Sequence, residues 1–481
     1  MAKVLTRSTS HTSLNLPIKV IQFGEGNFLR AFADWMIDIL NEKGSYNAGV
    51  AVVQPIEQGL VHLLEQQGGL YHLLMRGLSN GEVRNEIRLI TCIQQTVNPY
   101  IDLESYFKLA AGDELSLIIS NTTEAGIEFD PDDKPAENEL AKTFPGKLTQ
   151  LLLKRFQFFD GAASAGLGIV PCELIDRNGD KLKQAILQYA QLWNLTPAFT
   201  NWVNESNYFA NTLVDRIVTG YPRAEIEQIT QELGYQDQLV VSSEVFHLWI
   251  IEGPQEIQQI FPADSYGLNV KYVSDQTPYR TRKVRILNGC HTSMVAVGML
   301  AGLITVKETI EHPLVGPFIR SLIFKEIIPT IDLPDEELSN FANEVIERFL
   351  NPFIRHELKS ISLNSISKFK VRVLPSILDY IDQMDEAPVR LCTAFASLIK
   401  LYQKAVQGSI SLTDDPKHLE FFASLAKIKE DSKLVYQVLS NQSMWDQDLT
   451  KNELLTEAIT RAFEALEQNS IDQSIETIQQ H

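Results

Sequence analysis

A chain of 481 residues is too long for one compact core, so two domains are expected, and 44% hydrophobic with 21% charged residues is the balance of a folded globular protein. Acidic residues outnumber basic ones by 61 to 42, a formal charge of −19, and no Lys/Arg-rich run offsets it, which argues against nucleic acid and anionic membranes as partners. The same charge repels an anionic substrate at long range, so such a ligand requires a local basic pocket.

The N-terminal MAKVLTRSTSHTSLNLP lacks the apolar core of a signal peptide, and no apolar run approaches membrane-spanning length. IKVIQF (18–23) is a short apolar run, and GEGN follows it. A helix bearing Phe28, Phe32, Trp35, Met36, Ile39 and Leu40 on one face comes next and closes at Gly44. GVAVVQP (49–55) reads as a second buried strand and completes a βαβ unit. Further buried strands are expected at 115–121, 166–174 and 237–244, with helical segments between them. The alternation predicts an α/β, Rossmann-type, doubly wound and mostly parallel sheet. From about residue 283 long amphipathic or apolar segments dominate, so the chain is divided into a dinucleotide-binding domain over 1–270 and a mainly α-helical substrate domain over 271–481. SISLNSISKFKVRVL (360–374) alternates polar and apolar residues, which favours a strand within that helical portion, and its secondary structure is left open. Cys92, Cys172, Cys290 and Cys392 form no CxxC pair and no zinc-type spacing, which points to reduced thiols in a cytoplasmic protein and no metal site.

Gly24-Glu25-Gly26 opens directly into the first helix. Two glycines allow a tight turn and close approach to a pyrophosphate, which helix N-terminal N–H groups then bind. A strand–helix turn that merely uses glycine is the alternative, because Leu29 stands where a third glycine is usual. The position immediately after the first strand favours dinucleotide binding. Arg30 is expected either to contact the pyrophosphate or to be solvated. Gln54 occupies the end of the second strand, where an acidic residue commonly binds the adenosine ribose. Between Ala31 and Met75 there is no arginine and one lysine, Lys43, which favours NAD over NADP.

KVRILNGCHT (283–292) carries Lys-x4-Asn-x2-His. On a continuous α-helix at about 100° per residue, Lys283, Asn288 and His291 fit one broad side. Hydride transfer to a carbonyl needs such groups: a proton donor, a donor for the developing alkoxide and an orienting contact. Lys283 suits the first role if burial, Arg282 and Arg285 lower its pKa, Asn288 the second and His291 the third. The competing reading is a polar helix start with no chemistry.

The Lys283-Asn288-His291 motif resembles that of the polyol-specific long-chain dehydrogenases, the mannitol dehydrogenase family. The resemblance also covers QFGEGNFLRAF (22–32), NTTEAGI (121–127), PCELIDRNGD (171–180), NTLVDRIVTGYP (211–222) and NPFIRHELKSISLNSISKF (351–369). It implies a Rossmann-type domain, a helical domain, an active site between them and metal-independent hydride transfer with NAD. By the same resemblance Lys283 is the general acid/base, while Asn288 and His291 bind the reacting end of the substrate. Phe23, Gly24, Gly26, Asn27, Phe28, Arg30, Gln54, Asn121 and Thr122 are the expected cofactor-binding residues.

Within the family the stretches are most similar to members acting on sugar acids. Reversible reduction of D-tagaturonate to D-altronate is therefore implied, with the fructuronate/mannonate pair as the enzymatic alternative and a non-catalytic NAD-binding regulator as the other. Two departures from mannitol-type members bear on this. Cys172-Glu173-Leu174 replaces Cys-Asp-Asn, so an alkoxide-binding amide is absent, and Ser360 replaces a polyol-contacting arginine, whereas Lys368 retains a substrate lysine. The substrate carboxylate needs a cation, and Lys368 comes first, with Arg355, Lys359 and Arg372 behind it.

Overall fold

The computed structural model describes residues 2–12, 15–44, 46–122, 126–136 and 138–479. It divides into two compact units, Met1–Gly77 with Val83–Gln276 and Leu78–Glu82 with Thr277–His481. The first is built on six strands: β1 (Ile18–Phe23), β2 (Gly49–Val53), β3 (Ile93–Val97), β4 (Leu117–Ser120), β5 (Gly168–Pro171) and β6 (Tyr208–Phe209). Their spatial order is β3-β2-β1-β4-β5-β6, with every neighbouring pair parallel. This is the doubly wound order whose strand sequence reverses between β1 and β4, and ligands bind in the crevice at that point.

The apolar runs follow from coverage on both faces. Val20, Val50, Val52, Leu117 and Ile119 pack with Leu29, Met36 and Leu40 of α1 (Asn27–Arg30) and α2 (Ala33–Lys43). Ile21, Phe23, Ala51, Val53 and Ile118 pack on the opposite face with α3 (Phe144–Phe158) and α4 (Asn178–Leu192).

Three details differ from expectation. The first helix is broken after Arg30, and the carbonyls that the break releases are taken up by side chains. Tyr71 donates to the Arg30 carbonyl at 2.8 Å and Arg216 to that of Ala31 at 2.7 Å. The chain still leaves α2 at Gly44, whose N–H donates to Leu40. Second, the 237–244 run does form a strand, Val241–Ser243, but it pairs in parallel with Tyr71–Ser79 in a separate four-stranded sheet. An apolar run records burial, not which sheet edge it joins. Third, two strands, Tyr71–Ser79 and Glu82–Ile90, occupy a region between β2 and β3 for which no strand was expected. Asn80 and Gly81 turn the chain between them at φ of 54° and 76°.

The second unit is helical. Its central element runs from α5 (Thr277–Arg282) through a π-helix at Lys283–Gly289 into α6 (Cys290–Leu300), which is buried almost throughout. Segment 360–374 is helical too, falling in α8 (Leu358–Ile361) and α9 (Ser365–Arg372), with α7 (Asp335–Phe349) preceding them. The buried residues Ile366, Phe369 and Val373 follow helical spacing, while Leu363 and Val371, which completed the alternation, are exposed. Among the described residues no helix is long and apolar enough to cross a membrane.

Candidate active site

The loop after β1 is pinned on both sides. Gly24 donates to Val53 of β2 at 3.1 Å, and Asn121, just after β4, donates to Phe23 at 3.0 Å. Gly24 has φ +118°, and a Cβ there would lie 2.7 Å from the Asn121 carbonyl oxygen. Gly26 is exposed, with nothing within 4 Å of the Cβ position. The N–H groups of Gly26, Asn27 and Phe28 make no hydrogen bond among the described residues. Three unspent donors beside open space, at the switch point of the sheet, fit a pyrophosphate.

Arg30 does neither of the things expected of it. Only 2% exposed, it lies beneath the loop, donating to the Glu25 carbonyl at 3.0 Å, to the Leu239 carbonyl and to the Asn27 side-chain oxygen at 2.8 Å. Its guanidinium stacks on Tyr71, 5.0 Å from the ring centre. Arg30 therefore holds the loop's shape from behind. Phe23 likewise turns its ring into the core, against Tyr106 and Phe144, leaving only its backbone near the crevice. Phe28 stacks on Phe32 at 4.9 Å. Gln54 is buried, and its amide nitrogen donates to Ile56 and Glu57, both at 2.9 Å. That donor is spent on its own loop and is not free for a ribose.

Below the loop, Asp34 Oδ2 lies within hydrogen-bond distance of the Tyr71 hydroxyl, at 3.0 Å, and burial pushes its carboxyl up to about 7. The ordinary unfolded value is about 3.9. Between the two the folded state binds more protons than the unfolded one, so stability falls as pH rises from about 4 to about 7. Asp34→Asn removes that dependence. The Tm difference between Asp34→Asn and the parent, read by differential scanning fluorimetry, should shift in the variant's favour from pH 4.5 to 7.5. A constant difference across that window contradicts the assignment.

At the ends of β4 and β5, Glu173 is buried and burial pushes its carboxyl up from the ordinary value. It accepts from Ser120 Oγ at 3.0 Å, from Thr122 N–H at 3.0 Å and from Thr122 Oγ1 at 3.1 Å, while the Asn121 amide donates to Cys172 at 2.8 Å. Glu173 thus fixes Thr122, and the Cys172 carbonyl fixes Asn121, the two residues expected to meet the cofactor. The next position, Leu174, is 64% exposed. Thr123, Glu124 and Ala125 of the NTTEAGI stretch lie outside the described residues.

In the second unit the expected continuous α-helix at 283–302 is replaced over its first two turns by the π-helix. Its i→i+5 register places residue 288 one turn above 283, bringing the Asn288 amide round towards the lysine's side. Lys283 and Asn288 are half-buried, and the Asn288 side chain makes no hydrogen bond among the described residues. His291 is buried against Phe349, with ring centres 4.4 Å apart, and meets His356 edge-on at 5.0 Å. Burial pulls the His356 imidazole below its ordinary value, so a neutral ring backs His291. Sequence reasoning missed His356, although it stands inside the quoted NPFIRHELK stretch.

The arginines expected to act on Lys283 are balanced by acids. Arg282 pairs with Glu337 at 2.7 Å and stacks on Phe341, and Arg285 pairs with Asp379 at 2.6 Å. Neither is an uncompensated positive neighbour. Of the carboxylate candidates, Arg355 is an exposed surface cation paired with Glu357 at 3.1 Å, and Lys359 is exposed. Lys368 is half-buried and donates to the Ile361 carbonyl at 2.9 Å.

Residues 18–261 match the mannitol dehydrogenase Rossmann domain, and residues 275–467 the mannitol dehydrogenase C-terminal domain. Curated relatives named altronate oxidoreductase include those of Bacillus subtilis, 47% identical over 92% of this chain and 91% of that one, and Pectobacterium carotovorum, 45% identical over 96% of each. The altronate oxidoreductase of Phocaeicola vulgatus is 43% identical over 99% of this chain and all of its own length, 100%. Among solved structures, mannitol 2-dehydrogenase of Pseudomonas fluorescens, in a ternary complex with NAD and D-mannitol, superposes with a TM-score of 0.68 at 21% identity, covering 99% of each chain. A substrate-free D-sorbitol dehydrogenase gives 0.81 at 20% identity, over 98% of this chain and 100% of that one. These two likenesses are of fold. With both of its domains matched, the chain belongs to the mannitol dehydrogenase family.

Proposed function

We propose that this protein is an NAD-dependent oxidoreductase of the cytoplasm that interconverts D-tagaturonate and D-altronate. The observation that carries the proposal is 42–47% identity, over nearly the full length of both chains, to relatives named altronate oxidoreductase. Held at the Gly24–Phe28 loop, NAD would supply the hydride acceptor for the secondary alcohol, and NADH the hydride donor for the ketone. The chain's own residues handle the proton and the charge. Lys283 gives a proton to the carbonyl oxygen during reduction and recovers it during oxidation. The Asn288 amide, hydrogen-bonded to no described residue, donates to the same oxygen as negative charge develops. His291, held between Phe349 and His356, orients the adjoining hydroxyl. With Leu174 where mannitol-type members carry an amide, Asn288 bears more of the alkoxide's stabilisation.

The test is isotopic. Given D-tagaturonate and NADH deuterated at both C4 positions, the protein should form D-altronate labelled on the carbon beside the terminal hydroxymethyl group. Unlabelled product, or the C5 epimer, contradicts the proposal.

A further inference from the structure

Several half-buried or buried cations of the second unit have an acid: Arg282 has Glu337, Arg285 has Asp379, Lys370 has Asp446 at 2.8 Å, and Arg390 has Glu326. Lys368 and Arg372 differ. They stand at i and i+4 on α9, so they share one helix face, and each is half-buried. Neither forms an ion pair among the described residues, and the nearby Asp414 carboxylate is occupied by the Ile366 and Asp415 N–H groups, His418 and Tyr402. Burial draws the Arg372 guanidinium below its ordinary value with no acid opposing the shift, while burial first and Arg372 second lower Lys368 against the opposing pull of Asp414. Two like charges partly withdrawn from water, with the Asp414 carboxylate acting on Lys368 and no acid acting on Arg372, are stabilised further by an anion that joins them.

Their position bears on the chemistry. The Arg372 carbonyl lies against Gly289, where a Cβ would be only 2.8 Å from its oxygen. This close approach fixes the end of α9 on the π-helix, next to Asn288. An arginine there offers a planar fork for a carboxylate, and Lys368 adds a point charge.

We propose that Arg372, with Lys368, holds the substrate carboxylate and is the residue that sets preference for a sugar acid over a neutral ketose. The inference rests on the substrate reading above and adds a specificity-determining residue to it. Arg372→Gln and Arg372→Lys are compared with the parent on D-tagaturonate and on D-tagatose, its uncharged counterpart, with NADH Kd and Tm measured alongside. For Arg372→Gln the KM for D-tagaturonate should rise and the ratio of kcat/KM for acid over ketose should fall, by about 10- to 100-fold. Arg372→Lys should fall between the glutamine variant and the parent. A ratio within twofold of the parent's in Arg372→Gln overturns the proposal, as does a loss confined to NADH Kd, which would assign the pair to the cofactor. Should the parent itself prefer the ketose, it is the substrate reading that fails, and that is visible before any variant is made.

Discussion

Replacing Lys283 by methionine is expected to lower kcat for reduction by about 10²- to 10⁴-fold, the range that a positioned acid–base group supplies. NADH Kd and Tm should stay near the parental values, because methionine keeps the length and apolar stem of the side chain. The argument is one of proton balance. Hydride arrival leaves an alkoxide that must take up a proton, the amide of Asn288 cannot give one, and Lys283 is the group assigned to do so. Asn288 supplies a hydrogen bond, and His291 is packed between two rings. Single-turnover decay of NADH absorbance separates the chemical step from binding. Activity within tenfold of the parent contradicts the role.

Gly24→Ala should have the second-largest effect, raising NADH Kd more than about tenfold and lowering stability by about 1–3 kcal/mol. At φ +118° an alanine is strained, and its methyl would meet a backbone oxygen 2.7 Å away. Nothing can move aside cheaply: Asn121 is bonded to Phe23, and Gly24 to Val53. Gly26→Ala is the informative contrast. Its φ of −66° suits any residue and no protein atom is near. That variant should keep its Tm yet bind NADH more weakly, since the methyl would fill the space a pyrophosphate needs. Parental Kd and Tm in Gly24→Ala, from fluorescence titration and thermal denaturation, would contradict the loop's assignment.

The Rossmann half was legible because β1 and β2 are covered on both faces, which forces uninterrupted apolar runs such as IKVIQF and GVAVV. What escaped depends on partners remote in sequence. Arg30 looks like a solvated helix residue until Leu239 and Tyr71 are brought to it. Arg282 and Arg285 look like activators of Lys283 until Glu337 and Asp379 balance them. The π-helix at 283–289 was illegible for another reason, since a one-residue change of hydrogen-bond register leaves no mark on hydrophobic periodicity. In 360–374 the alternation misled because Leu363 and Val371 face solvent, so the apolar residues did not all mark a buried face. Physical reading of the motifs reached a dehydrogenase. The substrate class came from resemblance across the chain.

Initial rates of NADH oxidation, with D-tagaturonate, D-fructuronate and D-fructose offered in parallel and no metal added, test the central claim most directly. The account predicts kcat/KM highest for D-tagaturonate, with D-fructose well below both acids. Preference for D-fructuronate, or equal rates on the uncharged ketose, would contradict it.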